Sequence, residues 1–457
     1  MCGIIAIYNY NESNIIIFEL LESLKKLKNR GRDSFGILLS NKKQNILVKD
    51  HNLIDIVKIK ELKLNKNLYN KVLGHSRYAT SYHSNETKIN IYDSHPIKGT
   101  HQKLGDFYLI HNGNINFNKI YQNKYPNISD TKVLVKIIEE SDKETWNNIF
   151  EYILQTVPGV YNVIVSTDKN LYAFKDKYNV RPLCVGQNKS GICITSESIA
   201  LGNYKYLREI EGGELIEISN NNIISSKVLT SKYNICLFEY IYFLNPNSVM
   251  NDTDIYSIRH MLGYKLGEIE NKIINQKNTV VIGSPDTGIP GGIGFAEALN
   301  LKYEQFLEKN KNKGRSFIMS DDNKRVSECL KKFLINPDYS IKNKIVYFVD
   351  DSMVRGNTIK RIVSLLKEYG ALEIHIRIVS PKIINICNFG IDIPTKKELI
   401  MSNKDENEYA HDVGINSLKF LDLDYMTNII SKKLNISNDN FCKGCFTGNY
   451  NKELLEW

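Results

Sequence analysis

Residues Lys344 to Val363, KIVYFVDDSMVRGNTIKRIV, restrict the possible folds of this chain more than any other stretch. The run from Ile345 to Val349 is apolar and rich in β-branched and aromatic residues, which predicts a buried parallel strand. Two acids, Asp350 and Asp351, follow directly at its carboxyl end. Ser352 to Thr358 then form a small loop that contains a glycine. This order predicts an α/β fold with a ligand at the sheet edge.

The residues after this loop predict a helix from Ile359 to Tyr369, with Thr358 as its cap and Gly370 as its stop. Backbone N–H groups at the start of such a helix bind phosphate. Carboxylates repel phosphate, so we expect Asp350 and Asp351 to hold ribose hydroxyls or a Mg²⁺ carried with the substrate. An ordinary strand–turn–helix with solvated acids is the alternative. A Walker loop is excluded, because no Gly-Lys-Ser/Thr follows the glycine.

The stretch Val349 to Thr358, VDDSMVRGNT, resembles the phosphoribosylpyrophosphate (PRPP) loop of the type I phosphoribosyltransferases, and in particular that of the glutamine PRPP amidotransferases. The resemblance implies PRPP as the ligand, with Asp350 and Asp351 beside its ribose. It also implies contacts to the 5′-phosphate from the loop residues Ser352, Val354, Arg355, Gly356, Asn357 and Thr358.

A second strand-end loop supports the same site. Thr279 to Gly283 predicts a strand, and Ser284 to Pro290 turns out of it. The resemblance places Thr287 with Asp350 and Asp351 around the Mg²⁺ of the substrate. A turn residue or a helix cap is the alternative role for Thr287.

Length and composition predict a globular protein of two or three domains. The chain has 457 residues, of which 42% are hydrophobic, and its formal charge of +9 comes from lysines scattered among acids. These lysines lack the aromatic interleaving of a nucleic-acid surface. No signal peptide or membrane-spanning run is visible, and the eight cysteines are too widely spread for a secreted disulfide framework. We expect a cytoplasmic protein that binds neither nucleic acid nor membrane.

The amino-terminal sequence Met1-Cys2-Gly3 predicts a nucleophile. Removal of Met1 would leave Cys2 with a thiol and an α-amine, whose usual pKa values are about 8.5 and 7.7–8.0. The amine can take the thiol proton, so nucleophile and base come together without a histidine. A lone cysteine is more often structural than catalytic, so the catalytic prediction for Cys2 depends on the residues around it.

Three further stretches carry groups that glutamine chemistry needs. Arg77, in Gly74 to Thr80, suits a bidentate grip on a carboxylate. The Asn112 amide and the Gly113 N–H group, which follow an apolar run, suit an oxyanion hole. Asp130 stands before a helical pattern, where it pairs with an ammonium group or caps the helix. Taken singly, each stretch is as well explained by a turn or a cap.

In this order the stretches resemble the class II glutamine amidotransferases, whose glutaminase domain is an N-terminal-nucleophile hydrolase. The resemblance implies Cys2 as nucleophile, with Arg77 on the glutamine α-carboxylate and Asp130 on its α-amine. Asn112 and Gly113 would stabilise the tetrahedral oxyanion. Further matching stretches are Val180 to Leu183, Thr195 to Ser198 and Ile235 to Phe243.

The implied fold is α/β and α+β, in two domains. The first, residues 1–230, is a glutaminase domain with an N-terminal-nucleophile αββα sandwich, and alternation in Val160 to Ser166 and Leu171 to Phe174 agrees with its strands. The polar stretch Ser219 to Asn234 predicts the boundary. The second, residues 231–457, is a type I phosphoribosyltransferase domain with a mainly parallel sheet, a helix over Ile255 to Ile273 and a C-terminal iron–sulfur segment.

Residues Tyr303 to Arg325 stand where related enzymes carry a mobile loop that closes over PRPP. Lys309-Asn310 and Gly314 to Ile318 match that pattern. Lys311-Asn312 and Ser320 to Asp322 depart from it, although lysine can meet phosphate.

The cysteines fall into two further sets. Those in apolar or helical patterns predict buried packing: Cys184, Cys193 and Cys329. A C-x-x-C pair and two upstream residues predict a zinc site, an iron–sulfur cluster or, for the pair alone, a redox disulfide: Cys442, Cys445, Cys236 and Cys387. The sequences around Cys387 and Cys442 resemble the iron–sulfur amidotransferases, which implies a four-iron, four-sulfur (4Fe-4S) cluster on these four thiolates. His95, His101 and His111 lack the spacing of ligands on one helix face and predict structural roles.

The resemblance covers nearly the whole chain and implies amidophosphoribosyl transfer. Glutamine would be hydrolysed at Cys2, and its ammonia would displace pyrophosphate from PRPP to give 5-phosphoribosylamine, the first committed compound of purine synthesis. Purine nucleotides would act as inhibitors, and the enzyme would be a homotetramer. The alternatives are another class II amidotransferase, which would lack VDDSMVRGNT, and a PRPP-binding regulator without turnover, against which intact Cys2, Arg77, Asn112 and Asp130 argue.

Overall fold

The computed structural model of the chain describes residues 1–51, 60, 63–78, 91–115, 119–126, 128–270, 276–310, 333–393 and 395–454. Among these residues, no helix combines the length and the apolar character that a membrane crossing needs. Residues Lys311 to Arg325 of the predicted PRPP lid lie outside the described residues, as does Cys329.

The first half of the chain contains two antiparallel sheets. The first sheet has the strand order Lys205–Glu209, Cys184–Gln187, Gly191–Thr195, Gly3–Ser13, Tyr69–Arg77, Ser34–Ser40, Asn45–Asp50. The second has the order Asn222–Lys227, Glu214–Ser219, Leu171–Lys175, Val160–Thr167, Gly105–Asn114, Ile97–His101.

The alternation of side chains along these strands stacks the sheets into four layers. Ile5 and Ile7 of the first sheet pack against the helix Ile15–Lys26. Their neighbours Ile4 and Ala6 point the other way and pack against the second sheet. The outer face of the second sheet is covered by the helices Asp130–Glu139 and Trp146–Thr156. The predicted αββα sandwich is therefore confirmed, because period-two alternation gives each strand two apolar faces.

The second half is built on a five-stranded parallel sheet. Its strand order is Lys302–Tyr303, Thr279–Gly283, Ile345–Asp350, Glu373–Ile378, Ser417–Phe420. One face packs against the helices Ile255–Glu268, Ile289–Ala298 and Leu423–Leu434, and the other against Asn357–Glu368 and Glu406–Val413. Helices on both faces bury the central strands Thr279–Gly283 and Ile345–Asp350 almost completely, which explains their continuous apolar runs.

Shorter elements complete the described chain. The paired strands are Ile235–Cys236 with Phe441–Cys442, Val249–Met250 with Thr253–Asp254, and Leu307–Lys309 with Phe333–Ile335. The remaining α-helices are Lys119–Lys124, Ile400–Asn403 and Gly444–Thr447, and a π-helical turn spans Glu239–Phe243.

The helix after the PRPP loop differs from its predicted start. It begins at Asn357, so Thr358 lies in its first turn and is not the cap. Gly356 occupies the capping position with φ of 72°, a left-handed conformation that glycine adopts without steric cost. The predicted stop is confirmed, because the helix ends at Glu368 and Gly370 has φ of 80°.

Two other predicted boundaries also shift. Part of the polar stretch Ser219 to Asn234 forms the edge strand Asn222–Lys227 of the second sheet, where one solvated face suits polar residues. The helix predicted over Ile255 to Ile273 ends at Glu268. The division at residues 230 and 231 remains a prediction.

Candidate active site

Strand pairing places Cys2 beside the predicted carboxylate clamp. Gly3, in the strand Gly3–Ser13, pairs with Ser76, in the neighbouring antiparallel strand Tyr69–Arg77. Cys2 precedes Gly3 and therefore lies next to Arg77, where the two strands end. Cys2 is half-buried, and its Sγ lies 3.9 Å from the carbonyl oxygen of Tyr78. The thiol is thus accessible and adjacent to an arginine.

The second sheet supplies a polar side chain that bonds the Cys2 backbone. The Cys2 N–H group donates to Asn112 Oδ1 at 3.1 Å, and Asn112 is 1% exposed. Within the described part of the chain, Asn112 Nδ2 has no hydrogen-bond partner. A buried donor of this kind normally finds an acceptor, so it is available to an oxyanion formed at Cys2. At Gly113 an added Cβ would lie 1.9 Å from the carbonyl oxygen of Val160, so only glycine fits.

Met1 occupies a buried position in front of Cys2 and is 3% exposed. Burial lowers the pKa of its α-amine to about 6. This amine belongs to Met1, whereas the predicted base is the Cys2 amine that removal of Met1 would free.

Asp130 lies in the first turn of its helix and is held by the backbone. Ser129 is the cap and accepts from the N–H group of Lys132, so the capping alternative for Asp130 is wrong. Asp130 Oδ2 accepts from the N–H group of Ile115 at 3.1 Å, three residues beyond Asn112. Its side chain is 19% exposed, which leaves room for an ammonium partner.

A group of buried histidines lies beneath this site. The ring centroids of His75 and His95 are 4.2 Å apart, and those of His95 and His111 are 6.4 Å apart. Burial lowers the pKa of all three. His101 is separate and bonds Ser141 O through Nε2. Within the described ranges, no group of three or more His, Cys, Asp or Glu side chains converges as ligands of one metal ion.

The acidic pair of the second half is buried at the carboxyl end of the parallel sheet, with Asp350 6% and Asp351 3% exposed. Burial raises the pKa of both carboxyl groups, and the charge of Asp351 raises that of Asp350 further. The hydroxyls of Ser352 and Thr287 hydrogen-bond Asp351 and partly offset the effect on its pKa. Thr287 therefore lies at the acidic pair, and such a pair favours a cation.

The loop after the acids is held at several points. The Gly356 carbonyl accepts from the hydroxyl of Tyr409 at 3.0 Å, and the Val354 carbonyl accepts from the N–H group of Ile400 at 3.0 Å. Arg355 Nε donates to Glu398 Oε2 at 2.5 Å. Asn357 and Thr358 open the following helix, where N–H groups lack acceptors within the helix. The loop is thus preformed for an anion.

The four predicted ligand cysteines come together, although they are far apart in sequence. Cys236 and Cys442 pair in register between two short parallel strands. Burial raises the pKa of the Cys445 thiol, and nearby Cys236, Cys387 and Cys442 raise it further. All four are free thiols in the structure. Cys184 and Cys193 are buried elsewhere, as predicted.

The two candidate sites are joined through Tyr78. Its carbonyl oxygen faces Cys2 Sγ, and its hydroxyl donates to Asp392 Oδ2 at 3.2 Å. Asp392 in turn lies 4.0 Å from Arg355 Nη2 in the PRPP loop. Asn114, at the end of the Asn112 strand, also donates to the carbonyl oxygen of Asn388, at 3.2 Å. The stretch around Cys2 and the loop that contains Arg355 are therefore linked by these contacts.

Sequence reasoning missed three buried residues linked to Cys2: Arg30, which bonds its carbonyl oxygen, and Glu197 and Glu239, which pair with Arg30. Each is at most 1% exposed. Glu197 and Glu239 are charges within matching stretches, and in Ile235 to Phe243 the charge stands among apolar residues. Buried charges are rarely tolerated without partners, which makes that signal readable in retrospect.

The sandwich and the parallel sheet define a class of protein, an N-terminal-nucleophile glutamine amidotransferase fold followed by a type I phosphoribosyltransferase fold. A scan of protein-family models finds no match to the chain. The chain is 32% identical to the amidophosphoribosyltransferase of Methanocaldococcus jannaschii, over 99% of its own length and 98% of that protein. It is 32% identical to the amidophosphoribosyltransferase of Bacillus subtilis, over 100% of its own length and 95% of that protein.

Solved structures agree. The B. subtilis glutamine PRPP amidotransferase in complex with ADP and GMP has a TM-score of 0.86 and 31% identity, over 98% of this chain and 97% of that one. A structure described as the allosteric regulatory enzyme of purine biosynthesis has a TM-score of 0.87 and 30% identity, over 98% and 96%. The chain belongs to the amidophosphoribosyltransferase family and is an enzyme.

Proposed function

We propose that the enzyme converts glutamine, PRPP and water to 5-phosphoribosylamine, glutamate and pyrophosphate, the first committed step of purine synthesis. The observation that carries this proposal is the contact of Tyr78 with both sites, at Cys2 Sγ and at Asp392 beside Arg355. A glutaminase site alone would need no such neighbour. In this proposal ammonia passes through the interior from the glutamine site to C1 of PRPP.

In the glutamine half-reaction, Cys2 attacks the amide carbon after Met1 is removed. Its freed α-amine takes the thiol proton and later passes a proton to the leaving ammonia. Asn112 and Gly113 stabilise the oxyanion of the tetrahedral intermediate. Arg77 binds the α-carboxylate and Asp130 the α-ammonium group. Within the described part of the chain, the unpartnered Asn112 Nδ2 supports the oxyanion role.

In the ribosyl half-reaction, ammonia attacks C1 of PRPP and pyrophosphate leaves. Asp350 and Asp351 steady the ribose as positive charge develops on it. The 5′-phosphate contacts come from Ser352, Val354, Arg355, Gly356, Asn357 and Thr358. Thr287 and the two acids would hold the Mg²⁺ of the substrate, which neutralises the diphosphate. The raised pKa of both buried carboxyl groups fits a site completed by a cation.

For the four-cysteine site we propose a 4Fe-4S cluster held by Cys236, Cys387, Cys442 and Cys445. The donor set fits, because four free thiols meet in a buried apolar region and cysteine thiolates are the usual ligands of such clusters. A cluster is wider than a single ion, so its ligands need not converge on one point. When bound, it would join the C-terminal segment to the rest of the second half. Zinc is the alternative.

Further features are proposed from the relatives. Purine nucleotides would inhibit the enzyme, as the B. subtilis relative binds ADP and GMP. We also propose a homotetramer in the cytoplasm, with a glutaminase domain in residues 1–230 and a phosphoribosyltransferase domain in residues 231–457.

The test is pyrophosphate release from PRPP and Mg²⁺, with glutamine or ammonium as nitrogen source, for the wild type and for Cys2→Ala. We expect the wild type to use both sources and Cys2→Ala to use ammonium alone, because the thiol serves only ammonia production. Equal loss of both activities would contradict the assignment of two sites. No release by the wild type from either source would favour a PRPP-binding regulator.

A further inference from the structure

Arg30 is a buried arginine that holds the backbone of Cys2. Its Nε donates to the carbonyl oxygen of Cys2 at 3.1 Å. Its Nη1 pairs with Glu197 and its Nη2 with Glu239, both at 2.8 Å. All three charged side chains are at most 1% exposed. The position of the Cys2 carbonyl therefore depends on a guanidinium that two carboxylates orient.

One of these carboxylates comes from the other half of the chain. Glu239 opens the π-helical turn Glu239–Phe243, 209 residues after Arg30. The same oxygen, Oε1, also lies 3.5 Å from Arg181 Nη1. Arg181 Nη2 donates to the carbonyl oxygen of Phe389, in the segment that packs on Asn114. Glu239 Oε1 thus contacts two arginines of the first half, Arg30 and Arg181.

The second carboxylate, that of Glu197, also connects the two halves of the chain. Glu197 belongs to the first half, and its Oε2 accepts from the N–H group of Asn245 at 2.8 Å and from Ser248 Oγ at 3.1 Å. The cluster of Arg30, Arg181, Glu197 and Glu239 is therefore balanced in charge and shared between the halves. Removing one charge from such a buried set leaves its partner uncompensated, which destabilises the fold.

The other oxygen of Glu239 faces a small cavity. Among the described residues, Glu239 Oε2, Arg181 Nε and Asn179 Oδ1 have no protein hydrogen-bond partner. These three residues line a cavity of about 20 Å³, which has room for one water molecule. Glu239 Oε1 alone therefore orients Arg30 from this side.

We propose that Glu239 is a positioning residue for glutamine hydrolysis: supplied by the phosphoribosyl half, it orients Arg30 and thereby the backbone of Cys2. The inference rests on the proposed role of Cys2 as the nucleophile. Glu239 acts on Cys2 through Arg30, so its effect is on the position of the thiol. A displacement of about 1 Å at a reacting group lowers rates by about 10²-fold.

The experiment compares Glu239→Gln with the wild type in three measurements: glutamate release with kcat and KM for glutamine, ammonium-dependent pyrophosphate release, and Tm. Glu270→Gln is the matched control, because Glu270 forms a buried pair with Arg377 at 2.6 Å within the second half. Cys2→Ala is run in parallel to test the nucleophile itself.

We expect Glu239→Gln to lower kcat for glutamine by about 10–100-fold. Its KM should change by less than about threefold, because Arg77 and Asp130 still bind the ends of glutamine, and ammonium-dependent release should change as little. Glu270→Gln should lower Tm without separating the two activities. Glu239→Asp, which retains the charge, should recover part of the lost kcat. A merely structural ion pair would not produce this split.

Wild-type kcat for glutamine in folded Glu239→Gln would overturn the proposal, and so would an equal fall of both activities. If Glu239→Gln does not fold, Arg30→Lys decides, since lysine retains the charge but cannot span Cys2, Glu197 and Glu239. Arg30→Lys must then show the same split, and its absence would overturn the proposal. If Cys2→Ala still hydrolyses glutamine, the nucleophile assignment fails, which is a separate result from failure at Glu239.

Discussion

At the scale of single residues, the two sites place opposite demands on burial. Cys2 is half-buried beside neutral amide groups, as a thiol that must react requires. Asp350 and Asp351 are almost fully buried and adjacent, which disfavours two negative charges unless a cation is present. The acidic pair therefore favours a cationic or metal-bound ligand, as proposed.

The double substitution Asp350→Asn with Asp351→Asn should remove synthesis from either nitrogen source. One or both carboxylates are expected to contact the ribose or its metal in the transition state, so the loss should appear in kcat/KM for PRPP. Initial rates of pyrophosphate release with glutamine and with ammonium measure it. Near-normal ammonium-dependent activity would refute the assigned role, provided the variant unfolds at the wild-type urea concentration.

His75, His95 and His111 predict a loss of stability in acid. Burial lowers the pKa of all three, so they stay neutral in the folded chain while the unfolded chain binds protons below about pH 6.5. The stabilisation that the neutral histidines give is fully present above about pH 6.5. As the pH falls below that value, each histidine lowers the free energy of unfolding by up to about 1.4 kcal/mol per pH unit.

Urea unfolding between pH 7 and pH 5 measures this loss. His75→Leu should flatten the slope by up to one proton, because one titrating ring is removed. His411→Gln is the control for the loss of one histidine, since His411 is exposed on its helix. An identical slope in wild type and His75→Leu would show that His75 does not titrate as expected.

At the scale of elements, the PRPP loop and its helix depend on one backbone conformation. Gly356 has φ of 72°, and an added Cβ would lie 2.9 Å from the hydroxyl of Tyr409. Gly356→Ala should lower the free energy of unfolding by about 1–2 kcal/mol from φ alone, and more from the contact. It should also raise KM for PRPP, because the helix start would move.

Gly105→Ala is the matched control for this prediction. Gly105 has φ of 86°, but an added Cβ there would meet no atom within 4 Å. Gly105→Ala should lower the free energy of unfolding only by the cost of the left-handed backbone conformation, because its Cβ has no steric contact. It should leave KM for PRPP unchanged. A KM in Gly356→Ala equal to that of the wild type would argue against the loop as the phosphate site.

The four-cysteine site is a second element with a testable composition. Protein purified without oxygen should be brown and carry about four irons per chain, which follows from the cluster type. Cys442→Ser should expose the C-terminal segment to proteolysis, because ligand binding and folding are coupled. Metal analysis that finds zinc and no iron would reject the cluster, and Cys193→Ser, far from the site, is the control for loss of a buried thiol.

At the scale of the whole molecule, the two activities should separate when the amino terminus is blocked. An uncleavable extension turns the α-amine of Cys2 into an amide without a basic lone pair. General-base assistance contributes about 10²–10⁴-fold, so glutamine-dependent turnover should fall by at least that much. Ammonium-dependent turnover should stay within a few-fold, because the PRPP loop belongs to the other half of the chain.

The measurement compares a tagged protein with the same protein after a protease exposes Cys2. Both samples carry identical ribosyl sites, so ammonium-dependent pyrophosphate release serves as the internal control. Equal glutamine hydrolysis before and after exposure would rule out the N-terminal-nucleophile mechanism for this chain.

Local patterns were sufficient for most elements. The alternation in Val160 to Ser166 and the apolar run Ile345 to Val349 predicted strands that the structure contains. Such patterns are visible in the sequence, because the spacing of apolar residues along a strand involves only residues close together in the chain. They were not sufficient for the start of the helix at Asn357, since the capping conformation of Gly356 depends on Tyr409, 53 residues away.

The sequence alone determined the two chemistries, because Cys2 near the amino terminus and VDDSMVRGNT after a strand each need only local order to be recognised. Tertiary structure decided how these sites are connected. It brought Arg30 to Glu239 across 209 residues and placed Tyr78 between Cys2 and Asp392. The spacing of residues along the sequence does not predict such contacts. They form only when separate apolar cores pack together and leave buried charges that must find partners.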